Sequence, residues 1–544
     1  MEAVRNVSED LRAGAARHSD RSAVHRPGQR SGVVTFGELD ARCDAIAHGL
    51  ADLGLAPGDR TLVFVPPSAE LVCLTHALFR IGAVPVLIDP GMGRKSLLAC
   101  IEKTAPRALI GVPRSQLARH LYRGAFTSVE LAVSVGAPSL GGVLLRDVER
   151  RGRRSGAYPI HPQGVDDIAA VLFTSGSTGP PKGVVATQGV FRAQLDALKE
   201  LYALKPGEVD AACFPLFALF DATLGMTTVF PPVHPSRPAR ADPAAVHRVI
   251  EESGATFSFG SPAIWRRVLA WARAKGQRFS TLTRITIAGA PVPPELLCGL
   301  HELLPAGGDV HTPYGATEAL PVSSLAASEL AGSLRQRVET GEGTCVGRPA
   351  PGIELALVPV GDAPIDEWSA DLRLEPGQAG EICVRGPAVT PSYLFDPAAT
   401  KLAKIPFEEA GRTGFWHRMG DVGRLDEEGR LWLLGRKSHR LETGRGLLFP
   451  VPLENAFNIC RDVHRTALVG VGPPGAERPH LVVEPEPGAK REHVEAALHA
   501  RAQELEQAER VEGFLFHKSF PVDVRHNAKI HRRELKRWAE ERVR

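Results

Sequence analysis

From about Thr35 onward, segments of helical period alternate with short continuous apolar runs, and this alternation restricts the fold more than any other feature. FGELDARCDAIAHGLADLGL repeats apolar residues at three and four, and GDRTLVFV follows as a compact β-run after a Pro-Gly turn. LVCLTHALFRIGAVPVLIDPG, from Leu71, reads as a helix, a turn at Gly82 and a buried strand, and Arg80 inside it argues against a transmembrane span. DIAAVLFTSGSTGPPKG places a buried strand at Ala169 to Phe173 ahead of a Gly-rich loop, with a helix in VFRAQLDALKELY after it. TRITIAGAP leads from Thr283 into another small-residue turn. Such alternation predicts an α/β architecture with largely parallel sheets.

The character changes near Gly420. GDVGRLDEEGRLWLLGRKSHR reads as a hairpin turning at Glu428 and Gly429, followed by VPLENAFNIC, the strand-like TALVGVG and HLVVEPE, and the helical HVEAALHARAQELEQA. The expected organisation is a large domain over 1–435 and a small α+β domain over 436–544, since 544 residues exceed one ordinary core. A net charge of +3 without a dominating basic block gives no argument for a nucleic-acid partner. The densest basic run, RRGRR at Arg150 to Arg154, reads as a solvated loop. The start MEAVRNVSEDLRAG lacks the apolar core of a signal peptide. Eight scattered cysteines without a C-x-x-C pair suggest reduced thiols in a cytoplasmic protein.

The chemistry concentrates in TSGSTGPPKG, Thr174 to Gly183. Glycines at 176, 179 and 183 allow close backbone approach, so consecutive N–H groups can face one concavity; Ser and Thr hydroxyls add donors and Lys182 adds a point charge. That combination suits phosphate, although the Walker pattern is absent because Gly183 follows Lys182.

This loop resembles the phosphate loop of the adenylate-forming enzymes, the superfamily of acyl-CoA synthetases, adenylation domains and luciferases. YGATE at Tyr314 to Glu318 is similar to that family's aromatic-Gly-x-Thr-Glu motif, MGDVGRLDEEGRLWLLGR to its ribose-binding and hinge region, and PVDVRHNAKIHRREL to its C-terminal lysine motif. The resemblance spans nearly the whole chain. It implies a substrate carboxylate joined to the α-phosphate of ATP with loss of pyrophosphate, a reaction governed by positioning and preorganised positive charge. It further implies that Thr174, Ser175, Gly176, Ser177, Thr178, Gly179 and Lys182 cradle the β- and γ-phosphates, Glu318 holds Mg²⁺, and Thr317 contacts the α-phosphate. Tyr314 and the backbone of Gly289, Ala290 and Pro291 would sandwich adenine, Asp421 would accept from the ribose hydroxyls, and Arg436 would reach ribose or phosphate. Lys529 would bridge the carboxylate and the α-phosphate.

Several positions depart from the family pattern. Ser438 replaces the usual hinge residue, Arg445 stands where Gly is expected, Ala218 replaces a common His and Ala528 a common Gly. The first two weaken the case for CoA transfer. PLFALFDATLGMTTVFP, FGSPAIW, AGAPVPPELL, TPYGATEALPVSS and RHNAKIHRREL resemble instead the β-lactone synthetases of bacterial long-chain olefin biosynthesis. That likeness implies adenylation of a long-chain 2-alkyl-3-hydroxy acid and closure of a β-lactone by its own hydroxyl. It also suggests association with the thiolase, reductase and lactone decarboxylase of the pathway. Phe217, Phe220, Asp221, Gly260 and Trp265 are the expected substrate contacts, and Asp221 or His311 is a candidate base. A long-chain acyl-CoA or acyl-AMP ligase is the first alternative, and a nucleotide-binding subunit without catalysis the second.

Overall fold

Local sequence starts and stops the helices where the alternation places them. In the computed structural model, which describes residues 6–27, 32–139, 141–174, 181–214, 217–234, 237–330, 332–409, 411–522 and 530–543, helix Phe36–Asp52 opens on a capping box. Thr35 Oγ1 accepts from the Glu38 amide, while the Glu38 carboxylate accepts from the Thr35 amide at 2.9 Å. Helix Ala69–Ile81 starts at Ser68, whose hydroxyl accepts from Leu71, and stops at Gly82, whose φ of 79° only glycine adopts cheaply. Arg80 is fully buried on this helix, where Asp40, Asp44 and Ser8 neutralise and hydrogen-bond it. No helix among the described residues is long and apolar enough to cross a membrane.

The strands assemble into two large sheets that are parallel in their middle. In the eight-stranded sheet, Ile168–Thr174, Val84–Ile88, Arg60–Phe64, Ala108–Gly111, Leu131–Ser134 and Val143–Leu144 lie side by side in parallel. The nine-stranded sheet carries Thr227–Val229, Val209–Ala211, Phe257–Gly260, Arg284–Ile287 and Asp309–Ala316 in parallel order. Helices Ala69–Ile81, Gln188–Tyr202 and Ala218–Leu224 supply apolar faces to the same cores as these strands. A third sheet, six-stranded and antiparallel, contains Gly380–Arg385, Arg412–Leu425 and Leu431–Arg436. The mixed α/β fold expected from the alternation is therefore present.

Two local readings change. Between the Gly-rich loop and helix Gln188–Tyr202 lies a further strand, Lys182–Thr187, which folds back antiparallel on Ile168–Thr174. Its first residues admit this pairing because Gly183 sits against the Phe173 ring, where a Cβ would come within 2.8 Å of Cζ. The run GVVAT then supplies β-branched side chains for a pleated surface. Nor is RRGRR a loop: Arg150, Arg151 and Gly152 form the end of helix Leu145–Gly152. Gly152 lets that helix touch helix Phe36–Asp52, since a Cβ there would lie 1.9 Å from the Ala45 carbonyl oxygen.

Beyond Arg436 the chain forms a short hairpin, Leu441–Thr443 with Gly446–Leu448, and a three-stranded sheet of Val463–Val471, Arg478–Pro485 and Gly513–Phe516. Leu453, Phe457, Leu468, Leu481, Val494 and Leu498 build a core of their own there. Arg501 donates to the Glu339 carbonyl at 2.7 Å and Asn455 to Thr344 Oγ1 at 2.9 Å, joining this segment to the rest.

Candidate active site

Both large sheets end their parallel strands at one cleft, the position where open α/β sheets ordinarily bind ligands. From the eight-stranded sheet come Phe64, Ile88 and Phe173, and from the nine-stranded sheet the turn Ala288–Pro291 and the strand end Thr312–Ala316. The cleft encloses about 2110 Å³. Most ligand pockets run from about 300 to about 1,000 Å³, so more than a nucleotide fits.

Its polar end collects residues that are far apart in the chain. Strands Asp309–Ala316 and Ala319–Ala326 are joined by Thr317 and Glu318, which puts both side chains on a tight turn at the cleft. Tyr314, Gly289, Ala290, Pro291, Lys182, Asp421 and Arg436 line the same cleft. Gly289 has φ of 93°, the bend that turns the strand end across the opening. Asp421 and Arg436 are register partners on adjacent antiparallel strands and form an ion pair at 3.0 Å. Tyr314 Oη donates to the other Asp421 oxygen at 2.7 Å. Burial pushes the Asp421 carboxyl upward, while Arg436 and Tyr314 hold it down. Burial and the neighbouring Asp421 raise the Tyr314 phenol, which stays protonated and so keeps donating.

Glu318 is oriented by residues whose role no local motif announced. Tyr393 Oη donates to Glu318 Oε1 at 2.8 Å, and the ring of Tyr393 lies 4.8 Å beneath the Lys182 ammonium. One tyrosine thus ties Lys182, at the end of the Gly-rich loop, to the Glu318 carboxylate. The Thr390 amide and hydroxyl both donate to the Glu318 carbonyl, at 2.8 and 3.1 Å. Lys404, buried, donates in turn to the Thr390 carbonyl and lies 4.6 Å from the Phe415 ring centre. Burial lowers its ammonium to about 7, against the pull of Glu318. Beneath the Asp421–Arg436 pair, Glu381 accepts from Arg418 at 2.6 Å and pairs with Lys437 at 2.9 Å. Tyr393 follows Glu318 by 75 residues, so nothing in the spacing of YGATE could have signalled it.

Not every expected contact is in the cleft. Phe217 and Phe220 line it, on the helix Ala218–Leu224 and the residue before it. Asp221 does not: it points away from the cleft, fully buried, and accepts from Thr228 Oγ1 at 2.7 Å. Burial raises both this carboxyl and that of the buried Asp210, which the negative charge of Asp221 raises further. Gly260 and Trp265 also stand outside the lining, because the indole packs on the glycine: a Cβ at 260 would come within 2.6 Å of Trp265 Nε1. His311 lies outside it as well, 5.2 Å from the Tyr202 ring. Ser175, Gly176, Ser177, Thr178, Gly179 and Lys529 lie outside the described residues, and of Thr174 the backbone ends strand Ile168–Thr174. Ser438 lines the cleft from the turn Lys437–His439, and Arg445 sits on the exposed hairpin turn after Thr443.

Residues 11–394 match the family described as AMP-binding enzyme. The chain is 44% identical to an olefin β-lactone synthetase of Xanthomonas campestris, across 98% of this chain and 97% of that protein. A second olefin β-lactone synthetase, from Stenotrophomonas maltophilia, is also 44% identical, across 98% of each. Among solved structures, the anthranilate CoA ligase AuaEII in complex with anthranoyl-AMP shares the fold with a TM-score of 0.80 at 19% identity, covering 100% of this chain and 99% of that one. A family match running from the first helix past the strand that carries Tyr393, and relatives aligned nearly end to end, agree with the cleft: the chain belongs to the AMP-binding enzymes, the adenylate-forming family.

Proposed function

We propose that this enzyme is an ATP-dependent β-lactone synthetase acting on a long-chain 2-alkyl-3-hydroxy acid. The observation that carries the reading is the nearly end-to-end similarity to olefin β-lactone synthetases. A largely apolar cleft continuous with the polar site supports it.

In this reading the substrate carboxylate oxygen attacks the α-phosphorus of ATP, the bond to the β-phosphate oxygen breaks, and pyrophosphate leaves. Lys182, with the loop residues Thr174 to Gly179, would hold the β- and γ-phosphates, and Thr317 the α-phosphate. Asp421, already oriented by Tyr314 and Arg436, would accept from the ribose hydroxyls. A single carboxylate fixed by Tyr393 suits Mg²⁺, which prefers one or two carboxylates plus phosphate oxygens to a protein cage. Bound through Glu318, Mg²⁺ would supply charge neutralisation at the phosphates. Lys529, carried by residues 436–544, would bridge the carboxylate and the α-phosphate, while 1–435 hold both substrates.

The 3-hydroxyl oxygen then bonds to the acyl carbon, the acyl–phosphate C–O bond breaks, and AMP departs as the hydroxyl proton is released. An internal nucleophile has a high effective concentration, so no second substrate need enter. Excluding water from the adenylate protects it from hydrolysis, and an apolar cleft does that. Eight free cysteines support a cytoplasmic setting, and the pathway likeness supports association with the enzymes that supply the hydroxy acid and consume the lactone.

The test incubates purified enzyme with Mg-ATP and a 2-alkyl-3-hydroxy acid, with and without CoA, and identifies products by NMR. A β-lactone with AMP and pyrophosphate, indifferent to CoA, is expected. Formation of an acyl-CoA and no lactone would show an acyl-CoA ligase instead.

A further inference from the structure

The cleft reaches both faces of the eight-stranded sheet. Side chains alternate along a strand, so Val63, Leu87 and Ala170 project from one face and Phe64, Ile88 and Phe173 from the other. All six line the one cavity. Their packing agrees, since Val63, Leu87 and Ala170 join the cores of the inner helices while Phe64, Ile88 and Phe173 join a separate cluster. The cavity therefore straddles the strand ends, with Pro66 and Asp89 at the bridge.

The two arms differ in enclosure. The inner arm is walled by Leu71, Phe79 and Phe191, which are 4%, 7% and 7% exposed, and by Phe220. The outer arm runs under helices Arg94–Thr104 and Pro113–Leu121, lined by Leu97, Leu98, Ala118 and Tyr122, with Arg94 and Arg114 exposed at its rim.

We propose that the two arms are separate hydrocarbon sites, each taking one of the two chains that diverge from adjacent carbons of the substrate. This rests on the branched-acid reading above and deepens it. One unbranched fatty chain would fill one arm and leave the other without a function. The second occupant is the substrate's own branch because the arms are continuous with each other and with the Lys182 end of the cleft. The enclosed arm sets a length limit on its chain, and the rim-open arm lets its chain extend.

Leu172 lines the cleft as the register partner of Leu87, on the same sheet face. Leu172→Phe narrows the inner arm, and Leu97→Trp the outer arm, with Ala118→Phe as a second outer variant should Leu97→Trp fold poorly. Each is assayed by pyrophosphate release on acids shortened at the 2-alkyl branch, at the hydroxyl-bearing branch, or at neither, and on 2-alkyl acids lacking the hydroxyl. The expected result is a loss in kcat/KM of about tenfold or more on the acid long at both branches. Shortening one branch restores the inner variant and shortening the other restores the outer variants. If the same shortened acid rescues both sets, or neither set responds to branch length, the two-arm assignment is overturned. If the branch pattern holds in pyrophosphate release while NMR finds no lactone from any hydroxy acid, the lactone reading fails and the two arms stand.

Discussion

Replacing Glu381 by Ala tests whether the Asp421–Arg436 end of the site is held up by buried charge. Glu381 is 1% exposed and lies against Arg418, whose side chain is 2% exposed. Arg418 donates to one Glu381 oxygen twice, at 3.1 and 2.6 Å, and Lys437 pairs with the other at 2.9 Å. Three charge-assisted contacts at about 1.5–3 kcal/mol each would set an upper bound near 5–9 kcal/mol. Two features bring the figure down. Arg418 keeps the carbonyls of Ala363 and Gly361, at 2.6 and 2.5 Å, and Lys437, 15% exposed, can turn to solvent. Removing one partner of a buried pair commonly costs about 3–5 kcal/mol, and that is the expected loss here. Urea unfolding of the purified protein measures it as a lower midpoint at unchanged slope. The Glu381→Leu/Arg418→Met double variant should lose less than the sum of its parts, since no lone charge remains buried. Because Arg418 and Asp421 share a strand and Lys437 follows Arg436, Glu381→Ala should also raise the KM for ATP. A destabilisation under about 1 kcal/mol, or additive single and double variants, would refute the reasoning.

Tyr314→Phe removes the hydroxyl that donates to Asp421, leaving that buried carboxylate with Arg436 alone; the expected cost is about 1.5–3 kcal/mol in stability, read by the same unfolding assay, together with weaker ATP binding. For the Asp210/Asp221 pair, burial raises both folded values above the unfolded 3.8, Asp221 to about 7, so the folded state binds more protons across that window and stability falls as pH rises through it. Asp210→Asn should flatten this dependence, and a wild-type unfolding midpoint equal at about pH 5 and about pH 8 would count against the raised folded carboxyls. Lys529→Ala should slow pyrophosphate release by about 10²–10³-fold, as loss of a preorganised electrostatic contact does, and unchanged release would remove that lysine from the chemistry.

Much of the fold was legible because its signals are local. The helix, Gly82 turn and buried strand of LVCLTHALFRIGAVPVLIDPG are present as Ala69–Ile81, Gly82 and Val84–Ile88. The strand Lys182–Thr187 was hidden because a Gly-rich loop followed by β-branched residues gives no hairpin signature until it is paired with Ile168–Thr174. RRGRR looked like a loop because its glycine serves close helix contact with Ala45, and no run of charges reveals a neighbour in space.

The sequence by itself determined the alternating α/β pattern and the chemical types at the site, since periodicity and motif order need only nearby residues. Only the tertiary structure decided which side chains support them. Tyr314 meets Asp421 across 107 residues, and Tyr393 meets Glu318 across 75. It also separated Phe217 and Phe220, which face the cleft, from Asp221, which faces a buried carboxyl. On a helix, residues one apart point in different directions, and which direction meets open space depends on the layers packed around it.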